Sequence, residues 1–231
     1  MIKSLVMAIG TLAFSASTLA GTQYRVDYHE LPARNEVVDQ NYYTHMQSYT
    51  GNTPWWMCAH AAFATAFNVL RTTPANHADQ LEWFHLELMK YPRYSTATNV
   101  HREAWGDDIH SIIKKRSDFD SKKVTSTSRT FIKNALHNAL VSNTDQQIVA
   151  LTQHRDGNGN AWGHFVVVHE VYYDPTGPGG GYVKYADPIG GISSKKVGYT
   201  DFLNGMRDAG GDGNEDSPKR YSFWKITKTG S

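Results

Sequence analysis

The chain contains a single cysteine among its 231 residues. An intrachain disulfide is therefore excluded, as are zinc sites and iron–sulfur clusters built from several cysteines. The chain also lacks an excess of charge of either sign, since 23 Lys and Arg residues balance 22 Asp and Glu residues. Without a positive surplus, binding to a nucleic-acid backbone or an anionic membrane surface is disfavoured. These absences favour a compact soluble domain.

The first twenty residues have the pattern of a secretory signal peptide. Lys3 supplies a positive start, an apolar stretch runs from Leu5 to Phe14, and small residues end at Ala20 before Gly21. The apolar stretch is shorter than the roughly 20 residues that span a bilayer, and no later stretch reaches that length. We therefore expect residues 1–20 to be a signal peptide and 21–231 a single domain, secreted to the periplasm or outside the cell and not inserted in the membrane.

The lone cysteine, Cys58, has two interpretations in an exported protein: a buried small hydrophobe, or a reactive nucleophile. Thr53 and Pro54 precede it as a helix cap and first-turn proline, and an alanine-rich helix follows to about Arg71. Cys58 is then expected in the first turns of a buried helix, where free N–H groups and the helix dipole favour the thiolate. The position favours the nucleophile.

A thiolate nucleophile needs a base, and the sequence offers eleven histidines. His164 stands at the start of a β-branched, aromatic strand, and a second strand ending at Asp187 follows a glycine-rich connection. If the two strands form an antiparallel hairpin centred between residues 175 and 176, His164 lies directly opposite Asp187. The imidazole would then face a carboxylate across the two strands.

This arrangement gives each residue a catalytic role. Asp187 holds the tautomer of His164, and His164 acts as the base that takes the proton of the nucleophile, Cys58. His169 is five residues further along the strand and is expected on the opposite face of the sheet. His60 lies two residues beyond Cys58 on the helix and is expected to point away from it. His164 is therefore preferred over the other histidines.

The remaining pattern predicts a middle segment of helices followed by strands. Two further motifs suggest metal sites but are interpreted otherwise: Glu82 and His85 as a helix-surface pair, and residues 156–160 as a turn rather than a calcium loop. No metal or other cofactor is expected. The predicted helices are 76–89, 107–115 and 128–141, the predicted strands are 147–152 and 221–227, and a strand end with a short helix is predicted at 197–203.

The chain resembles the papain-like cysteine peptidases. The features that carry this resemblance are a tryptophan-rich turn before Cys58, a Gly-His step at His164 followed by valines, and an Asp-Pro strand end at Asp187. It is most similar to the bacterial branches that include the leader peptidases of bacteriocin exporters and, through Asn52-Thr53-Pro54-Trp55, the staphopain type. The resemblance covers roughly residues 40–74 and 146–227.

The resemblance implies an α+β fold in which a helical layer, with the nucleophile helix near its N-terminus, packs on an antiparallel sheet. It implies a Cys58, His164 and Asp187 triad that cleaves protein or peptide substrates through a thioester, without a cofactor. It also implies a polar oxyanion donor before the cysteine, which is Asn52, or Gln47 if the loop carries an insertion.

Two other functions remain open from the residues alone. The same triad serves transglutaminases, deamidases and amidases, because pocket shape sets the acceptor. A non-catalytic secreted domain could instead use Trp55, Trp56 and the tyrosines as a contact surface. Replacement of Cys58 by alanine would abolish function in the enzymes and change nothing in the binding domain.

Overall fold

The computed structural model of the protein describes residues 25–28, 37, 57–71, 83–84, 86–88, 90, 106–115, 118–142, 145–155, 157–159, 161–209 and 219–229. Within them the fold is α+β. The helices are α1 (Cys58–Leu70), α2 (Gly106–Ile113), α3 (Arg129–Ser142) and α4 (Tyr199–Ala209), with a 3-10 turn at Pro178–Gly180. The strands are β1 (Arg25–Tyr28), β2 (Phe119–Ser126), β3 (Gln146–Arg155), β4 (Ala161–Tyr173), β5 (Gly181–Asp187), β6 (Ile192–Gly198) and β7 (Tyr221–Lys228). No helix in these ranges is both long and apolar enough to cross a bilayer.

The strands form one seven-stranded antiparallel sheet in the order β2-β7-β3-β4-β5-β6, with β1 also paired to β4. Strand β4 is the longest, at 13 residues. Its first part pairs with β3 and its last residues pair with β1, while β5 lies along its other edge. The sheet thereby brings the ends of β3, β4 and β5 together.

Helix α1 packs on one face of the sheet through its aromatic residues. Phe63 lies 6.2 Å from Phe165 and 6.0 Å from Trp224 between ring centroids, and Phe67 stacks on Phe119 at 4.3 Å. Burying large aromatic side chains is a main source of stability, so these contacts fix α1 on the sheet. The N-terminus of α1, with Cys58, is thereby held in place.

A second buried cluster, formed with α3 and α4, covers the opposite face of the sheet. Its members include Ile132, Leu136 and Leu140, which recur at helical spacing on α3. Phe131 of the same helix is instead 53% exposed. The predicted helical layer on the sheet is therefore only part of the arrangement, because both faces of the sheet are apolar and both are covered by helices.

The start of α1 differs from the prediction. Cys58 is the first helical residue, and Met57 occupies the cap position without a capping side-chain hydrogen bond. The predicted cap, Thr53 and Pro54, lies outside the residues that the structure describes. The thiol therefore lies at the N-terminus of α1, where the first backbone N–H groups have no acceptor within the helix.

The other predicted helices differ mainly at their ends. Ser128 caps α3, since its side-chain oxygen accepts a hydrogen bond from the N–H of Phe131 at 3.2 Å. The short helix predicted to end at Leu203 extends to Ala209 as α4. Of the predicted helix 76–89, the structure describes only a few residues near its end.

Three strands were not fully predicted. Strand β2 lies in the segment expected to be helical, yet all eight of its residues pair with β7. Its sequence and that of β6 contain adjacent lysines and serines, so neither shows an apolar period. Strand β1 has four residues, too few for a pattern. Pairing with the partner strand, rather than local preference, determines these elements.

The predicted hairpin register was wrong by two residues. Val167 pairs with Ala186, so the continuing register brings Asp187 next to Val166 rather than His164. Near the turn Tyr173 pairs with Gly181, so the hairpin is centred on residue 177 rather than between 175 and 176. The β-bulge between Val168 and Glu170 then shifts the register by one residue, back toward the prediction. Because diagonal neighbours on adjacent strands remain within reach of long side chains, His164 and Asp187 still meet.

Candidate active site

Cys58, His164 and Asp187 come from the start of α1, from β4 and from the end of β5. All three are buried, with 7%, 2% and 1% of their surfaces exposed. Two of them sit on paired strands and the third on a helix that packs against those strands. The positions of these side chains are therefore set by regular structure rather than by loops.

The contact between His164 and Asp187 is direct: Nε2 of the imidazole lies 2.7 Å from Oδ1 of the carboxylate. The same Oδ1 accepts a hydrogen bond from the backbone N–H of Ile189 at 3.0 Å, and Oδ2 accepts one from Nζ of Lys195 at 3.0 Å. Burial opposes ionisation of Asp187, but its hydrogen bond with His164, with the other two partners, lowers its pKa to about 2. Asp187 is thus a fixed negative charge.

The other nitrogen of His164, Nδ1, is the one left available to Cys58. It is buried and has no hydrogen-bond partner of standard geometry among the described residues. The Cys58 side chain nevertheless interacts with this imidazole. The thiol is therefore near enough to influence the charge of the ring without forming a hydrogen bond of standard geometry, as is common in ligand-free sites.

These neighbours determine the charge of His164. Burial lowers the pKa of the imidazole, but the hydrogen bond with Asp187 and the interaction with Cys58 outweigh burial and raise it to about 9. A positively charged imidazolium between a carboxylate and a sulfur is the state that stabilises a thiolate. The arrangement is therefore chemically suited to nucleophilic attack by Cys58.

Two residues at the site were not identified from the sequence. His154 on β3 lies with its ring centroid 5.4 Å from that of His164, at an interplanar angle of 70°, and 4.8 Å from the ring of Trp162. Lys195 comes from the polar strand β6. The separation of His154 and His164 along the sequence does not predict a contact between them, since only the pairing of β3 with β4 brings the two residues together.

The two oxyanion candidates, Asn52 and Gln47, lie outside the part of the chain that the structure describes. Three residues of the site could also hold a metal ion, since ligand atoms of His154, His164 and Asp187 all lie within 4.8 Å of one another.

Comparison of the chain with protein-family models and with curated proteins finds no match. The chemistry of the site therefore rests on its geometry and on the sequence motifs.

Proposed function

We propose that the protein is an exported cysteine peptidase of papain-like architecture, with Cys58 as nucleophile, His164 as general acid and base, and Asp187 as the residue that orients His164. The observation that carries the proposal is one buried imidazole that bonds to Asp187 through Nε2 at 2.7 Å and interacts with Cys58. The choice of a peptide bond as substrate is supported by the sequence resemblance around these three residues.

Peptide cleavage at this site proceeds in two acyl-transfer steps. The Cys58 thiolate attacks the peptide carbonyl and forms a C–S bond, and Nδ1 of His164 gives its proton to the leaving amine as the C–N bond breaks. His164 then takes a proton from water, which attacks the thioester and releases the acid product and Cys58. The protons balance, and no external cofactor takes part.

Asp187 supports both steps by keeping the ring of His164 in one orientation. With Nε2 hydrogen-bonded to the carboxylate, Nδ1 remains the nitrogen that exchanges protons with sulfur and substrate. The N–H of Ile189 and the ammonium of Lys195 hold the carboxylate in turn. A buried pair supported in this way needs little reorganisation during the reaction.

The oxyanion formed on the carbonyl needs hydrogen-bond donors. The backbone N–H of Cys58 is one, because the first N–H groups of a helix have no partner within it. The side-chain amide of Asn52, or that of Gln47, is the proposed second donor.

The decisive experiment is incubation of the signal-free protein with a peptide library, followed by mass spectrometry of new amino termini and an assay of released ammonia. We expect new termini from the wild type and none from Cys58→Ser. The matched control is His110→Gln, which alters a half-buried histidine that bonds to Ser121 on β2, and it should retain turnover.

The outcomes separate the proposed peptidase from its alternatives. Ammonia or amine exchange without new termini would show a deamidase, amidase or transglutaminase. Equal cleavage by Cys58→Ser, or no acyl transfer to any acceptor, would refute the assignment of Cys58 as nucleophile.

A further inference from the structure

A second imidazole next to the His164–Asp187 pair forms a potential metal site. His154 projects from β3, and ligand atoms of His154, His164 and Asp187 lie within 4.8 Å of one another. We propose that these three residues bind Zn²⁺, and that bound zinc reversibly switches off the peptidase. The binding site stands on its own, whereas the inhibition rests on the function proposed above.

The donor set is one that zinc prefers. Two imidazoles and one carboxylate, with water in the fourth position, are a common tetrahedral zinc environment. Bonds of about 2.0–2.2 Å place the ligand atoms roughly 3.5 Å apart around such an ion. From a spread of 4.8 Å or less, small side-chain rotations are sufficient to reach that geometry.

The three residues differ in exposure in a way that suits binding. His164 and Asp187 are buried and held by their strands, whereas His154 is half-buried. The ion can therefore enter from the side of His154. Mg²⁺ and Ca²⁺ prefer sites made of oxygen ligands, so neither should compete.

Zinc takes the place of the proton between Nε2 of His164 and Oδ1 of Asp187. A Zn–N bond forms, the Nε2 proton passes to solvent, and no oxidation or reduction is involved. The other carboxylate oxygen, Oδ2, keeps its ion pair with Lys195. The zinc-bound ring can release its Nδ1 proton only as an imidazolate, so it no longer protonates the leaving amine and turnover stops.

The test measures zinc binding without reference to activity. Cys58→Ser protein is freed of metal with a chelator, dialysed against zinc chloride, and analysed for bound metal. We expect one zinc per chain, no binding of magnesium, and at least a tenfold weaker affinity when His154→Gln is added. The control His110→Gln should leave zinc binding unchanged, and circular dichroism should show that each variant is folded.

A second variant tests the position of the ion. Lys195→Met removes a positive charge from the carboxylate ligand, so zinc should bind more tightly. In wild-type protein, zinc should inhibit turnover at the concentration at which it binds, and His154→Gln should be less sensitive.

Equal zinc affinity with and without His154, or loss of zinc on Cys58→Ser, would overturn the proposed site. Zinc binding in a protein without peptidase activity would refute the proposed function but keep the site. Peptidase activity without zinc binding would refute the site alone.

Discussion

The charge of Asp187 controls the protonation of His164, and Asp187→Asn tests this directly. Asparagine keeps the size and the acceptor oxygen of the side chain but loses the negative charge. The pKa of His164 is raised from 6.5 to about 9 despite burial. At about 1.4 kcal/mol per unit, this corresponds to a net 3–4 kcal/mol, roughly, in favour of the imidazolium, because the interactions with Asp187 and Cys58 outweigh burial.

Loss of a neighbouring opposite charge changes a pKa by about 1–3 units, so we expect the pKa of His164 to fall by that amount in Asp187→Asn. The assay is an NMR titration of labelled histidine in metal-free buffer, with the His164 signal assigned from its absence in His164→Gln. The control is Asp208→Asn, which breaks an ion pair with Arg207 elsewhere on the protein. A His164 pKa within about 0.3 units of wild type would refute the electrostatic role of Asp187, since even the smallest expected change is about one unit.

Two further predictions concern stability. Because the pKa of His164 is higher in the folded protein than the ordinary value of 6.5, its contribution to stability is complete below about pH 6.5 and is lost as pH rises through 9. Urea unfolding should therefore show a smaller loss of unfolding free energy over this pH range in His164→Gln than in wild type. Equal losses in the two proteins would contradict the raised pKa. A Cβ at Gly205 on α4 would lie 2.6 Å from Oγ1 of Thr152, so Gly205→Ala should lower the unfolding free energy through a clash that costs about 1–3 kcal/mol. Gly157→Ala is the matched control, because no atom lies within 4 Å of its added Cβ, and thermal unfolding that ranks the two variants equally would be inconsistent with this packing.

The sequence predicted the apolar elements well. Strand β4 was recognised because its valines and aromatic residues have the composition of a buried strand, and α3 because its apolar residues recur at helical spacing. Strand β2 was missed, since its polar residues become a strand only by pairing with β7.

The candidate site was likewise predicted only in part. Cys58, His164 and Asp187 could be chosen because each residue sits at the start or end of a recognisable element. Their meeting could be predicted only approximately, because no local pattern indicates that the turn of the hairpin is centred on residue 177. His154 and Lys195 join the site through strand pairing alone, so no sequence pattern indicated either residue.

The most direct test of the account is the rate of Cys58 alkylation by iodoacetamide at pH 6 in the folded, metal-free protein. At this pH an ordinary thiol reacts slowly, because only the thiolate is nucleophilic. We predict fast alkylation in the wild type and in His110→Gln, and slow alkylation in His164→Gln. Slow alkylation of the wild type, which becomes fast only on unfolding, would show that Cys58 is a buried structural residue and would contradict the proposed nucleophile.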